Sequence, residues 1–214
     1  MAHPRRFWLL KTEPISFSIQ DLAASPHQTT CWDGVRNFQA RNFIRDQMHV
    51  GDRVLLHHSN ADPPAVVGTA VIVREAYPDH TAWDPNHEHY DSKASPQNAL
   101  WQMVDIKLEQ IFPHPASLDQ LREIPPLAKM ELLRKGSRLS VQPVTAEEFE
   151  TIVQFAGGTM QPPPPAKKTP TPDTLAAPSK SPSKQIKKSS AAKSAPRAKP
   201  PTKKSSQPKP AKGK

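Results

Sequence analysis

The sequence predicts an α+β fold: a small barrel or strongly curled sheet of five to six mostly antiparallel strands, with short flanking helices at its ends and a disordered C-terminal tail. Three observations carry that expectation. Runs of alternating or β-branched residues recur at Arg53–His58, Ala65–Tyr77, Val104–Glu109 and Arg138–Val144, the pattern of strands with at least one buried face. Between them, Ser/Thr-x-x-Asp/Glu/Gln spacings open short helices that a proline or glycine soon stops. The composition also divides the chain. Of 214 residues with a net charge of +9, those after residue 160 hold 14 Lys/Arg and one acid, Asp173, for a net of +13. The first 160 hold 15 bases against 19 acids, a net of −4, and every Trp, Phe and Tyr. A segment without aromatic residues cannot bury enough apolar surface to offset its ordering entropy. We therefore expect a folded domain over 1–157, large enough for one core, and a Lys/Pro/Ala/Ser-rich tail over 158–214.

In chain order, Arg6–Lys11 is an apolar run closed by Thr12-Glu13-Pro14 and reads as a buried first strand. Ser18 with Asp21 starts a short helix that Ser25-Pro26 ends. The stretch Cys31–Gln47 reads as the entry and body of a second helix, turned at Asp33-Gly34, with Ala40, Phe43, Ile44 and Met48 as its core stripe. Phe38, Arg41, Asn42 and Arg45 fall on the other side of that helix, and an aromatic ring among basic and amide groups is unusual for a merely solvated face. Gly51-Asp52 turns into the strand Arg53–His58, which ends at Ser59-Asn60. Ala65–Tyr77 follows, with Gly68 as a bulge or bend. The chain from Pro78 to Asn98 is a long loop, a feature often tied to function. After the strand at Val104, Ser117 to Gln120 opens a third helix and Thr145 to Glu148 a fourth, whose buried stripe is Phe149, Ile152, Val153 and Ala156.

Several functions are disfavoured. One cysteine excludes an internal disulfide or a Cys-based zinc cluster. No apolar run approaches a membrane span, so no membrane partner is expected. His57 and His58, adjacent on a strand, point to opposite faces, while His87 and His89 show no evident third ligand; no metal and no cofactor are expected. Cys31 carries no sign of a lowered pKa, and no catalytic residues are assigned. The tail, extended by its prolines and dense in lysine, suits phosphate neutralisation with counterion release.

FWLLKTEP, TTCWDGVRNFQARNF, LLHHSN, REAYPDHTAWDP, WQMVDI and RLSVQPVTAEEF, in that order and spacing, resemble the EVE domain, a PUA-like module, over about Arg6 to Phe155. The resemblance implies a PUA-like β-barrel related to YTH and ASCH domains, in which a pocket receives a modified or flipped base such as a methylated cytosine, and implies no catalysis. The expected partner is DNA or RNA carrying modified bases, bound by a monomeric domain. It would be nucleoid-associated in a bacterial cytoplasm, or nuclear in a eukaryote.

An extruded base needs an aromatic face and a few polar groups for its pairing edge. Trp32 is the expected stacking wall, with Asp33, Gly34 and Asn37 beside it; as a plain core residue it would have no such role. By analogy with YTH pockets, Lys11, Thr12 and Glu13 line the same cavity, and Ser59 and Asn60 offer hydrogen bonds from across the barrel, where ordinary turn chemistry is the alternative. Trp83, in the long loop, is the candidate second wall. Arg36, Arg41, Arg45 and, from the last strand, Arg138 are the candidate phosphate contacts, although a solvated helix face would use arginines too. The reading is a non-catalytic reader of a modified base. Its rivals are an enzyme acting on a nucleobase or nucleotide, and a small-ligand or protein-interaction module that the tail localises.

Overall fold

The computed structural model describes residues 3–160. Six strands form one sheet: β1 (Phe7–Thr12), β2 (Thr29–Trp32), β3 (Arg53–His58), β4 (Ala65–Pro78), β5 (Gln102–Ser117) and β6 (Val141–Val144), in the spatial order β2-β5-β4-β3-β1-β6. All neighbours are antiparallel except β1 and β3, which run parallel with Phe7 opposite Arg53 and Thr12 opposite His58. A parallel pair needs a long crossover. Here it contains α1 (Ile19–Ala24), β2 and α2 (Phe38–Gln47). The other two helices are α3 (Leu118–Arg122) and α4 (Ala146–Phe155).

Local chemistry sets the helix starts. Ser18 with Asp21, Ser117 with Gln120 and Thr145 with Glu148 each form both halves of a capping box, worth about 1 kcal/mol apiece by removing orphan N–H groups. Asn37 caps α2 by accepting from Ala40 N at 3.0 Å.

The sheet is curled, and its two faces bury different cores. Trp8 and Leu10 of β1, Val54 and Leu56 of β3, Ala70 and Ile72 of β4, Val104 and Ile106 of β5, Trp32 of β2 and Val141 of β6 meet in one core with Ile19 and Leu22 of α1 and Ala40 and Ile44 of α2. Side chains from all six strands converge there, and α2 touches β4, β5 and the edge strand β6. The intervening residues Leu9, Leu55 and Val66 face a second core with Leu121 of α3 and Phe149, Ile152 and Val153 of α4. Covered on both sides, β3 is buried along its whole length. Register shifts along β4 and β5 bend the long hairpin. At Gly68 a Cβ would lie 2.3 Å from the Gln110 carbonyl oxygen, so the bend predicted there is also a close approach that only glycine permits.

Four expectations change. Thr29–Trp32 is an edge strand paired with β5, so the stretch read as one helix entry is a strand, a turn and then α2. The last strand begins at Val141, not at Arg138. The helices cover the two faces of the sheet instead of capping its ends. Finally, β5 runs on to Ser117 and leads straight into α3.

Past Gly157-Gly158 the chain still packs on the domain: Gln110 and Thr159 exchange two hydrogen bonds of 3.0 Å. The expected disordered basic tail lies, from residue 161, outside the described residues. Among the described residues no helix is long and apolar enough to cross a membrane.

Candidate functional site

The ends of β1 and β3 bring together Lys11, Thr12, Glu13, Ser59 and Asn60, as their predicted grouping requires. They stand on adjacent parallel strands, which corrects the expectation that Ser59 and Asn60 reach in from across the barrel. Ser59 donates to the Thr12 carbonyl through its N–H (2.8 Å) and its hydroxyl (3.1 Å). Thr12 Oγ1 donates to the Phe17 carbonyl at 2.9 Å, and Asn60 Nδ2 to Glu13 Oε1 at 2.7 Å. Below them the predicted opposition of the histidines holds. His58 Nε2 accepts from Ile19 N at 3.0 Å, while His57, opposite Lys11, is buried with no partner for either ring nitrogen. Burial, with Lys11 beside it, pushes the His57 pKa down to about 4. Burial likewise lowers Lys11.

Trp32, opposite Val104 on β5, reaches this group through Phe17. It is 7% exposed and sits in the main core, edge-on to Phe17 at 6.3 Å. The expectation of an open stacking face is corrected accordingly: the edge strand turns the ring into the main core, against Phe17. Two open cavities, of about 560 and 400 Å³, lie among other residues, the larger between His58, Pro63, Val67 and Gln120 and the smaller between Arg6, Phe7, Gln47 and Pro143. Trp32 lines neither. Next to it, the Cys31 thiol is pushed up to about 11 by burial and by Asp33 and Asp105, the opposite of what a nucleophile needs.

The turn after Trp32 is bound to the long loop through Asp79, a residue the sequence reading passed over. Its carboxylate, with no side-chain exposure, accepts from Gly34 N (3.1 Å), Arg36 Nη1 (2.7 Å), and Thr81 N (3.0 Å) and Oγ1. Burial pushes Asp79 up, but the hydrogen bonds of Thr81, Arg36 and Gly34 more than offset it and hold the carboxyl below the ordinary range. Gly34 has φ 71°, and a Cβ there would meet the His89 ring at 2.4 Å; the turn needs glycine for both reasons. Asp33 is raised by burial and by Asp79. His87 and His89 do have a third potential ligand beside them, namely Asp33, which the sequence separation had hidden.

The predicted phosphate contacts divide. Arg36 is committed to the Asp79 carboxylate and to the His89 carbonyl, which it meets through Nε (3.0 Å) and Nη2, and so serves as an internal tie. Arg41 donates to the Leu100 carbonyl at 3.1 Å and lies over the Phe38 ring at 5.0 Å. Arg45 is exposed and donates through Nε and Nη2 to the two carboxylate oxygens of Asp46. Arg138 is exposed in the loop before β6, off the strand expected to carry it. Trp83 is half-buried against Ala82, Ala94 and Trp101 in a small cluster beneath the loop.

Trp101 is the aromatic residue the sequence reading missed. It is 5% exposed, donates from Nε1 to Asp91 Oδ2 at 2.8 Å, and stacks at 5.0 Å and 26° on Phe38, which is 56% exposed. Arg36 lies 5.5 Å from the Trp101 ring centre. The result is a ledge of two aromatic rings and two guanidinium groups, joined by the Asp33-Gly34 turn to Trp32, Phe17 and the strand ends. Phe38 among basic groups on α2 was the sequence signal for it.

A family model described as the EVE domain matches residues 6–155. Thymocyte nuclear protein 1 of Rattus norvegicus is 44% identical over 166 residues, spanning 70% of this chain and 73% of the relative. A hypothetical protein from Leishmania major aligns with a TM-score of 0.68 at 45% identity, covering 72% of this chain and 95% of its own. The crystal structure of human THYN1 protein in complex with 5-methylcytosine containing DNA aligns with a TM-score of 0.67 at 40% identity, covering 72% of this chain and 99% of that one.

Proposed function

The chain belongs to the EVE domain family, and from that premise we propose that it binds nucleic acid without catalysis and reads a modified base, with 5-methylcytosine in DNA as the first candidate. The observation that carries this reading is the 40% identity to a human protein crystallised with 5-methylcytosine containing DNA, over nearly the whole of that chain. Two features of this chain support it. At the strand ends Glu13 and Asn60 offer hydrogen-bonding groups, and on α2 Phe38 offers an exposed ring beside the Arg41 guanidinium. Base stacking on such a ring contributes about 1–3 kcal/mol.

The charge division separates two tasks. The first 160 residues carry −4, so their bulk field does not draw phosphates; their arginines and rings act locally and select. The segment after residue 160 carries +13 and supplies sequence-independent affinity through counterion release.

Titration of methylated and unmethylated oligonucleotides, as DNA and as RNA, with the full chain and with a chain ending at Met160 tests both parts. Truncation should weaken binding to every oligonucleotide and flatten its salt dependence, while the ratio between modified and unmodified ligands stays unchanged. A ratio of one in both chains, or a preference that disappears with the tail, overturns the reading.

A further inference from the structure

We propose that Asp33, His87 and His89 form a site for one divalent transition ion of the zinc class, which fastens the long loop to the turn between β2 and α2. One ligand atom from each of the three lies within 4.8 Å of the other two. His89 Nδ1 is 3.8 Å from Asp33 Oδ1, and the two imidazole rings are 5.2 Å apart at 47°. With metal–nitrogen and metal–oxygen bonds of about 2.0–2.2 Å, neighbouring ligands of a tetrahedral ion sit about 3.3–3.5 Å apart. Closing the site therefore takes small side-chain adjustments, and the backbone stays in place.

Three further observations mark the trio as a site. His89 Nδ1 is buried and has no hydrogen-bond partner, and a buried polar atom without a partner requires an explanation. The ring is held in place from behind, packed where a Cβ on Gly34 would stand. Its other nitrogen, Nε2, lies 3.8 Å from Glu88 Oε1, within a small side-chain movement of the hydrogen bond by which an outer carboxylate orients a metal-bound imidazole. His87 Nδ1 accepts from the His89 amide at 3.1 Å. A neutral ring has one lone pair, so binding exchanges that hydrogen bond for a metal bond.

The ligand set chooses the class of ion. Two imidazoles and one carboxylate suit zinc, cobalt or nickel, whereas calcium takes six to eight oxygen ligands and magnesium an oxygen octahedron. Three protein ligands leave one position open to water or another oxygen donor. The proposal does not depend on the nucleic-acid reading.

The test uses the full chain, stripped with EDTA and dialysed, titrated with Zn2+ by calorimetry and with Co2+ by visible absorption. We expect one Zn2+ per chain, the absorption of tetrahedral Co2+, a rise in melting temperature reversed by EDTA, and no response to Mg2+. Asp33→Asn and His87→Gln should abolish the Co2+ spectrum, and Glu88→Gln should weaken Zn2+ binding about tenfold. His49→Gln, which alters the separate His3–His49 ring pair, should leave it unchanged. A melt of the His87→Gln chain in EDTA that matches the parent chain separates ligand loss from misfolding. Absence of Zn2+ binding at micromolar concentrations, or Zn2+ and Co2+ binding that survives both ligand substitutions, overturns the proposal.

Discussion

At the strand ends, Thr12, Ser59, Glu13 and Asn60 are tied by short hydrogen bonds to one another and to nearby carbonyl groups. Under the long loop, a single carboxylate, Asp79, holds Gly34, Arg36 and Thr81 together across more than forty residues of sequence. The strand ends inherit their positions from the β1–β3 ladder and would keep them without their side chains. The ledge formed by Arg36, Trp101 and Phe38 is held in both ways: Phe38 opens α2 and the Trp101 carbonyl accepts from Asp79 N at 3.0 Å next to the β4–β5 pairing, while the carboxylates of Asp79 and Asp91 hold Arg36 and the Trp101 ring. The strand ends are positioned by backbone and the ledge leans in addition on charged side chains, so the two should fail under different perturbations.

The largest difference should come from Asp79→Ala. It leaves the Arg36 guanidinium, 23% exposed, beside an empty carboxylate site, and removal of one partner of a buried pair costs about 3–5 kcal/mol. Partial exposure of Arg36 puts the expectation near the lower figure. Urea denaturation measures it; a loss below about 1 kcal/mol would show that the loop is held by its apolar cluster alone.

Acid should expose the hidden weakness of the strand-end region. His57 has a folded pKa of about 4 against about 6.5 in an unfolded chain. Between those values the unfolded chain takes up a proton that the folded one refuses. Stability therefore falls as pH drops through that window, by about 3 kcal/mol at most. Asp79, held below the ordinary carboxylate range, gives up its contribution only at lower pH still. Urea midpoints at pH 7 and pH 4.5 measure the loss, and His57→Gln should reduce it. An equal loss in both chains would place the sensitivity elsewhere.

Phe38→Ala separates binding from stability. The ring is mostly exposed, so its stack on Trp101 is worth about 0.5–1.5 kcal/mol to the fold. Loss of a base contact would weaken oligonucleotide binding about tenfold, within the range for one stacked base. Unchanged affinity would remove the ledge from the interface. The smallest effect should follow Asn60→Gly. Asn60 has φ 51°, which glycine adopts freely, and the lost bond to Glu13 is exposed, so stability should move by less than about 0.5 kcal/mol.

The same contrast explains what could be read from the sequence. Ser18, Ser117 and Thr145 announced their helices because a capping box is complete within four residues. The alternation in β5 and the stripe of α4 were legible for a similar reason: strand and helix periods repeat locally. Thr29–Trp32 was not recognised as a strand because its partner, Thr30 opposite Ile106, lies far along the chain and four residues show little periodicity. The grouping of Lys11–Glu13 with Ser59-Asn60 was legible through family resemblance. Asp79 was not, because an aspartate after a proline reads as a turn until the chain folds Arg36 onto it. Arg36 was misassigned for the matching reason: a guanidinium on a helix approach looks available to phosphate until its acid is located. Trp32 illustrates the limit most plainly, since the signal that made it a stacking candidate, an aromatic ring before a tight turn, is also how an edge strand delivers a ring to the core.

The central claim is that the strand ends, the Asp33-Gly34 turn and the ledge receive the base while the segment after residue 160 holds the backbone. Backbone amide shifts of the full chain, recorded by NMR as a 5-methylcytosine DNA oligonucleotide is added and compared with its unmethylated counterpart, test it most directly. The account predicts shifts common to both ligands in the segment after residue 160, and shifts specific to the methylated ligand at Thr12, Glu13, Asn60, Asp33 to Asn37 and Phe38. Methyl-specific shifts confined to α3 and α4, or identical shifts throughout with both ligands, would contradict it.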